Sequence, residues 1–337
     1  MNRYNIAVVG ATGLVGEAML ALIAERNFPA ENIYAIASER SAGSHVFCGD
    51  KHLTVKAIDE FDFSQVDFAL FSAGGDVARE YAPKVAAAGA TVVDNSSAFR
   101  YDDDIPLIVP EVNMDSINDY DDPKIIANPN CSTIQMLVAL KPLYDAVGIT
   151  RINVSTYQSV SGSGRKAIRE LARQCGECLN GKPVTNEVYP QQIAFNVLPH
   201  IDSFEDNGYT REEMKMVWET QKIFNDKEIE VNPTAVRVPV FFGHSEAISI
   251  ETNDKITAEK AREILANAPG VEVFDDSADQ IYPTPLNQAS GKDAVFVGRI
   301  RNDLAHDRGL NLWVVADNVR KGAALNALQI IESLISL

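Results

Sequence analysis

Residues 5–9 read as a short apolar strand, and the chain leaves it through Gly10-Ala11-Thr12-Gly13-Leu14-Val15-Gly16 into a helical pattern over residues 14–25. This order of strand, glycine turn and helix constrains the fold more than any other feature. Glycines at such a turn let the backbone fold tightly and approach a pyrophosphate, whose charge then rests on the N–H groups and positive dipole end of the helix. The spacing is G-x-x-G-x-x-G, a variant of the usual dinucleotide fingerprint. Alone it also fits a plain turn; at the head of an alternating strand and helix series it favours nucleotide binding.

That series continues. Apolar strand-like runs occur at residues 33–37, 66–71, 90–93 and 124–127, with a further helical pattern at 78–88. Strands that are apolar throughout and separated by helices predict a parallel sheet covered on both faces, a doubly wound, Rossmann-like α/β domain. The character changes after about residue 128. A helix at 133–144 leads into long β-type runs at 151–160, 235–251, 294–300 and 309–316, several of them alternating apolar and polar residues. These predict an α+β domain with a largely antiparallel sheet. A periodic terminal helix over 321–337 is expected to dock on the first domain. The division expected is 1–127 with 318–337 for the dinucleotide-binding domain and 128–317 for the catalytic and dimerisation domain.

Composition narrows the partners. A formal net charge of −17 in 337 residues argues against a nucleic-acid surface, which needs clustered Lys and Arg. It leaves room for an anionic small substrate, because a few local cations can dominate a cleft. No apolar run approaches the roughly 20 residues that span a bilayer. The start of the chain shows no signal-peptide pattern, and four scattered Cys do not make a disulfide framework, so the cytoplasm is expected.

Asn128-Pro129-Asn130-Cys131-Ser132-Thr133 is the most informative segment. It follows the fifth parallel strand and opens a helix around Ser132 or Thr133. Helix N–H groups and the dipole favour a thiolate at Cys131, and ligands bind at the carboxyl ends of parallel strands. A merely buried Cys is the alternative. His244, in Arg237-Val238-Pro239-Val240-Phe241-Phe242-Gly243-His244, is a natural acid/base for such a thiolate, its ordinary pKa lying near neutrality. Arg237 and His244 stand seven apart, so Pro239 or Gly243 must break the strand if both are to face one site.

At the end of the second strand, Ser38, Arg40 and Ser41 suit the 2′-phosphate of NADP, although Glu39 among them suits NAD. Ser161-Gly162-Ser163-Gly164 is a second glycine turn, following a strand that carries Gln158. Arg100, after the fourth parallel strand, is placed to meet an anion. Glu212 and Lys215 stand at i, i+3, also the spacing of a plain surface pair. Cys175-Gly176-Glu177-Cys178 lies late in a helical pattern at 166–179 without a second pair, and reads as structural rather than redox or zinc chemistry.

Together with Ser72-Ala73-Gly74-Gly75, Asn95 to Arg100, Glu212-Glu213-Met214-Lys215 and Ala316-Asp317-Asn318-Val319-Arg320-Lys321-Gly322, these segments closely resemble the aspartate-β-semialdehyde dehydrogenase family over essentially the whole chain. The resemblance implies Cys131 as acyl-thioester nucleophile, His244 as acid/base and Gln158 as the residue that orients the substrate. It gives Arg237 the substrate α-carboxylate, Glu212 its amino group, and Arg100 and Lys215 the phosphate, with Asn130 beside them. NADP contacts fall to Gly10, Thr12, Gly13, Leu14, Val15, Ser38, Arg40, Ser41, Ser161, Gly162 and Asn318. The implied reaction is NADPH-dependent reductive dephosphorylation of L-aspartyl-4-phosphate to L-aspartate-4-semialdehyde, feeding lysine, methionine and threonine synthesis, in a homodimer. An N-acetyl-γ-glutamyl-phosphate reductase shares this logic but needs no anion for an acetylated amine. A non-catalytic dinucleotide-binding regulator on the same fold is the rival from another class; an intact Cys131 and His244 argue against it.

Overall fold

The computed structural model describes residues 2–336. They divide into two compact units, Met1–Asn130 with Ala323–Leu337 and Cys131–Gly322.

The first unit contains β1 (Tyr4–Val9), α1 (Leu14–Glu25), β2 (Ala30–Ala37), β3 (His45–Cys48), β4 (Lys51–Thr54), β5 (Lys56–Ala57), β6 (Phe68–Phe71), α2 (Gly75–Ala87), β7 (Thr91–Asp94), α3 (Pro110–Asn113), β8 (Ile125–Ala127) and the chain's last helix, α8 (Leu325–Ser336). Its six-stranded sheet has the order β5-β2-β1-β6-β7-β8 with every neighbour parallel. The order grows outward from β1 in both directions, so the sheet is doubly wound and its crevice opens beyond the carboxyl ends of β1 and β6. Helices on both faces explain the unbroken apolar runs: Ile6 to Val9 and Ala69 to Phe71 are all buried. Helix α8 packs with α1 through one core that holds Met19, Leu20 and Ile23 together with Leu325, Leu328 and Ile331. Burial is worth about 1.5–3 kcal/mol for each such side chain, which is why the helix docks. Residues 320–324 form a π-helical turn and the regular helix starts only at Leu325. Leu337, the last residue expected in this helix, lies outside the described residues. The β3–β4 hairpin between β2 and β5 has no counterpart among the expected strands.

The second unit contains α4 (Cys131–Val147), β9 (Ile149–Gln158), α5 (Arg165–Leu179), α6 (Arg211–Phe224), β10 (Glu230–Arg237), β11 (His244–Thr252), α7 (Ala258–Ala266), β12 (Val271–Val273), β13 (Val295–Asn302) and β14 (Gly309–Ala316). Its sheet runs β10-β9-β11-β14-β13-β12. The four central strands are antiparallel, while β10 pairs parallel to β9 and β12 parallel to β13 at the two edges. Helix α4 is buried without a break from Ser132 to Leu140, too apolar all round for a surface helix, and it packs on the sheet's inner face.

The run at 235–251 is not one strand. Strand β10 ends at Arg237, residues 238–243 leave the sheet, and β11 begins at His244. Two residues account for the break. Pro239 has no N–H to give a ladder, and Gly243 sits at φ +87°, in the left-handed region. Cys175 and Cys178 are free thiols, half-buried late in α5 and packed beside Leu171, Ile193 and Leu198. Among the described residues no helix is long and apolar enough to cross a membrane, and no three His, Cys, Asp or Glu side chains gather as a metal site.

Candidate active site

Sheet register lines up one end of the second unit. Arg237 is the register partner of Gln158 on the parallel pair β10–β9, and Ser245 is the partner of Tyr157 on β11–β9. The last residues of β9 and β10 and the first of β11 therefore share one edge, and Gln158, Arg237 and His244 are all buried there. Breaking the run after Arg237 is what lets two residues an odd number apart meet at that edge.

Ser159 joins them. Its backbone N–H donates to His244 Nδ1 at 3.0 Å, and its carbonyl accepts from Arg237 Nη1 at 2.7 Å. Accepting that N–H leaves the neutral imidazole with its proton on Nε2, a nitrogen that has no partner among the described residues. Asn318 closes the other side. Its Oδ1 accepts from Ser159 Oγ (3.1 Å), Ser161 Oγ (3.1 Å) and the Gly243 N–H (3.0 Å), which fixes the turn just ahead of His244. Gly162 belongs to the same cluster: a Cβ there would lie 2.9 Å from Arg237 Nη1 and 3.4 Å from His244 Nε2.

The electrostatics correct one expectation. His244 does not titrate near neutrality. Burial, and then the Arg237 charge, pull its pKa down to about 3, with Glu212 opposing. The ring is neutral at working pH. Arg237 is itself only 4% exposed, its Nε has no partner, and no carboxylate pairs with it among the described residues. A buried cation without a counter-ion costs several kcal/mol, so such a group calls for an anion from outside.

Helix α6 brings the acid. A capping box of Thr210 and Glu213 fixes its first turn, and Glu213 also accepts the Ala235 N–H of β10 at 2.8 Å. Glu212 on that turn takes a hydrogen bond from Gln158 Nε2 (3.2 Å) and pairs with Lys215 Nζ (3.0 Å). Lys215 also reaches Asp202 at 2.7 Å. Burial works to lower the Lys215 ammonium, but these two carboxylates outweigh it and its pKa is raised. Glu212 and Lys215 are thus a half-enclosed cluster rather than a surface pair.

Cys131 is the first residue of α4. Gly322 passes so close that a Cβ on it would stand 2.8 Å from Cys131 Cβ. Asp317 builds that approach: its carboxylate accepts the Val319, Arg320 and Gly291 N–H groups, and its carbonyl accepts the Gly322 N–H at 3.0 Å. Further along α4, Gln135 Nε2 donates to the His244 carbonyl at 3.4 Å. Ser159, Asp317 and Gly322 were not singled out from sequence, although Asp317 and Gly322 lie in the quoted segment 316–322. Ser159 lies in the resembling segment 158–164 but was given no role, since its contacts to His244 and Arg237 run mainly through backbone, with its hydroxyl adding the bond to Asn318.

In the first unit, the glycine turn has the shape a dinucleotide needs. Gly10 sits at φ +88° with Ser72 O only 2.3 Å from where a Cβ would be, and a Cβ on Gly16 would fall 2.1 Å from Gly10 O. Gly13 is the N-cap of α1 and offers no side-chain cap, so the N–H groups of the first turn, from Leu14 and Val15 onward, are left for a ligand. A phosphate backbone fits this cradle. Ser38, Arg40 and Ser41 line a 3₁₀ turn directly after β2, with Arg40 exposed. Arg100 is buried at 6% exposure and donates to Asn95 O at 3.0 Å. The Asn95 side chain accepts from Asn128 (2.7 Å), which in turn accepts from Asn326 (2.7 Å). Asn130 is buried at the end of this unit.

Residues 5–120 match the family Semialdehyde dehydrogenase, NAD binding domain, and residues 140–321 match Semialdehyde dehydrogenase, dimerisation domain. The aspartate-semialdehyde dehydrogenase of Legionella pneumophila is 64% identical over 99% of this chain and 96% of its own length. The chain belongs to the aspartate-semialdehyde dehydrogenase family. Among solved structures, aspartate semialdehyde dehydrogenase II of Vibrio cholerae complexed with ASA superposes with a TM-score of 0.97 at 57% identity, covering 100% of this chain and 99% of that one. The Candida albicans enzyme with NADP gives 0.77 at 26% identity, covering 98% of each chain. Membership makes this an NAD(P)-binding, phosphorylating dehydrogenase of amino-acid biosynthesis, whose second unit carries the family's dimerisation domain. The high identity supports this reading over the acetylglutamyl-phosphate reductase and over the regulator.

Proposed function

We propose that this enzyme reduces L-aspartyl-4-phosphate to L-aspartate-4-semialdehyde with NADPH, through a thioester on Cys131. The observation that carries the substrate reading is Arg237, a buried guanidinium with no carboxylate partner among the described residues, held beside Gln158 and His244. An Arg fork grips a carboxylate through two parallel N–H groups, fixing the acyl carbon as well as binding it. Glu212 is the anion for the free amine. Lys215 is the cation proposed for the phosphate, the role the family resemblance also gives Arg100.

Cys131 Sγ attacks the acyl carbon, forming the C–S bond as the C–O bond to phosphate breaks and phosphate leaves with the electron pair. NADPH, when bound, would supply the hydride that this carbon accepts. Cys131 then takes back the C–S electron pair as the aldehyde forms, while His244 Nε2–H donates a hydrogen bond to the charge that develops. This is the work of a neutral imidazole, so it needs no imidazolium and agrees with a pKa of about 3. Splitting one displacement into two lowers the barrier of each. Gly10, Thr12, Gly13, Leu14 and Val15 would hold the pyrophosphate and Ser38, Arg40 and Ser41 the 2′-phosphate, with Ser161, Gly162 and Asn318 the remaining residues that would contact NADP. A thiol that must stay reduced suits the cytoplasm, and the dimerisation domain supports a homodimer.

The test is the reverse reaction with phosphate and NADP, run on aspartate semialdehyde and on N-acetylglutamate semialdehyde. A site with a buried acid for a free amine is expected to prefer the first by at least about 100-fold in kcat/KM. Equal rates, or the opposite order, overturn the assignment.

A further inference from the structure

Arg237 has a second neighbour that the reaction above does not use. The Tyr189 ring lies against its guanidinium, with Arg237 Cζ 5.9 Å from the ring centroid, within the range of a cation–π contact. Tyr189 is 9% exposed, and its hydroxyl, with Ser163 beside it, meets no acceptor for its own proton among the described residues. A buried hydroxyl left unpaired is uncommon and costs about 1–3 kcal/mol. Here an unpaired donor adjoins an unpaired cation, and one anion would satisfy both.

Tyr189 belongs to neither helix nor strand, so its placement must come from elsewhere. Helix α5 supplies it through two buried polar side chains. The Glu170 carboxylate accepts the N–H groups of Glu187 (3.0 Å), Val188 (2.5 Å) and Tyr189 (3.4 Å). One turn on, Gln174 Oε1 accepts from Ile193 (3.0 Å) and Ala194 (3.1 Å), and its Nε2 donates to Thr185 O (3.1 Å) and Asn186 Oδ1 (3.1 Å). Glu170 is 2% exposed and Gln174 fully buried. Burying a carboxylate costs free energy that three backbone donors offset, so residues 185–194 are held in one conformation with Tyr189 inside it.

We propose that Tyr189 completes the site that reads the substrate carboxylate: its ring sets the plane of the Arg237 fork, and its hydroxyl is a further donor to the anion. The inference rests on the reading of Arg237 as the carboxylate residue. It makes Tyr189 a specificity-determining residue for this reaction, placed by α5 acting through its two clamps.

The experiment compares Tyr189→Phe, Tyr189→Leu and Arg237→Lys on aspartate semialdehyde and on 3-aminopropanal, which keeps the amine and aldehyde but lacks the carboxylate. NADP affinity and thermal midpoint are followed on each preparation. Removing the hydroxyl is expected to raise KM for aspartate semialdehyde about tenfold, the size of a lost hydrogen bond to a charged group, with kcat nearly kept and 3-aminopropanal unaffected. Removing the ring adds a further loss confined to aspartate semialdehyde. Should Tyr189→Leu fold poorly, Tyr189→Phe, isosteric except for the hydroxyl, carries the test. If Arg237→Lys discriminates between the aldehydes while Tyr189→Phe treats them alike, Tyr189 has no part in reading the carboxylate and this inference alone is overturned. If Arg237→Lys slows both by one factor, the carboxylate assignment falls and takes Tyr189 with it.

Discussion

Glu246 lies two residues beyond His244 on the buried face of β11, fully enclosed, and among the described residues its carboxylate oxygens find no well-formed hydrogen bond, Gln135 being the donor nearby. Burial pushes its pKa well above the ordinary value, against a smaller opposing effect of Gln135. Enclosure therefore favours its neutral form. Between the unfolded pKa, about 4.3, and the higher folded one, the folded chain binds more protons than the unfolded chain, so this group loses stability as pH rises through that window. His244 behaves in the opposite sense. Its folded pKa of about 3 lies below the unfolded value near 6.5, so the stability it supports is present above about 6.5 and lost as pH falls towards 3. Glu246→Gln keeps the shape and removes only the first titration. Its thermal midpoint, set against the unaltered protein, is expected to gain as pH is raised from about 4.5 to 8. A constant offset over that range means Glu246 stays ionised or pays nothing for its place. Stability scans of the two proteins at matched ionic strength check it.

The six residues between β10 and β11 decide what the end of the sheet can do. With Gly243 at φ +87°, and a Cβ there 2.8 Å from Pro285 Cβ, any side chain meets both backbone strain and a clash. Gly243→Ala is expected to cost about 1–2 kcal/mol from the left-handed backbone, before the clash. It displaces His244, and a shift on the order of 1 Å can lower the rate about 100-fold. The grip on the cofactor's phosphates, assigned to the other unit, is expected to hold, so NADP affinity falls less than the rate; fluorescence titration beside kinetics would show it, and an unchanged kcat would mean the turn does not place His244. How far sequence reached follows from similar particulars. The parallel sheet was legible because its strands are unbroken apolar runs, and the break between Arg237 and His244 because parity demanded one. The β3–β4 hairpin was not, since four-residue strands with exposed Lys51 and His52 carry no periodicity. The low pKa of His244 was hidden too, because it comes from enclosure and from Arg237 across a strand break, and spacing along a chain reports neither. Likewise the Glu170 and Gln174 clamps act on backbone up to 20 residues away, where residue type leaves no trace.

For the whole molecule, the net charge of −17 sets a repulsive background for substrates that are themselves anionic, so local cations must supply the attraction. Those cations are divided. Arg40 and Arg100 lie in the first unit, which also carries the turn at Gly10 to Gly16, while Lys215 and Arg237 lie in the second with Cys131. If each unit keeps to its own half of the task, the two kinds of defect separate. Cys131→Ala is expected to abolish turnover in both directions and leave NADP affinity within about twofold, because the nucleophile acts on the acyl group alone. Arg40→Ala is expected to leave a competent thiol, with KM for NADPH raised much more than KM for NADH, since only NADPH carries the 2′-phosphate. A charge-assisted hydrogen bond of about 1.5–3 kcal/mol corresponds to roughly 10- to 150-fold in that ratio. The informative measurement is the ratio rather than either constant. A general loss of affinity raises both KM values together and leaves it at the starting value, in which case Arg40 does not read the phosphate and Glu39 beside it becomes the residue to replace.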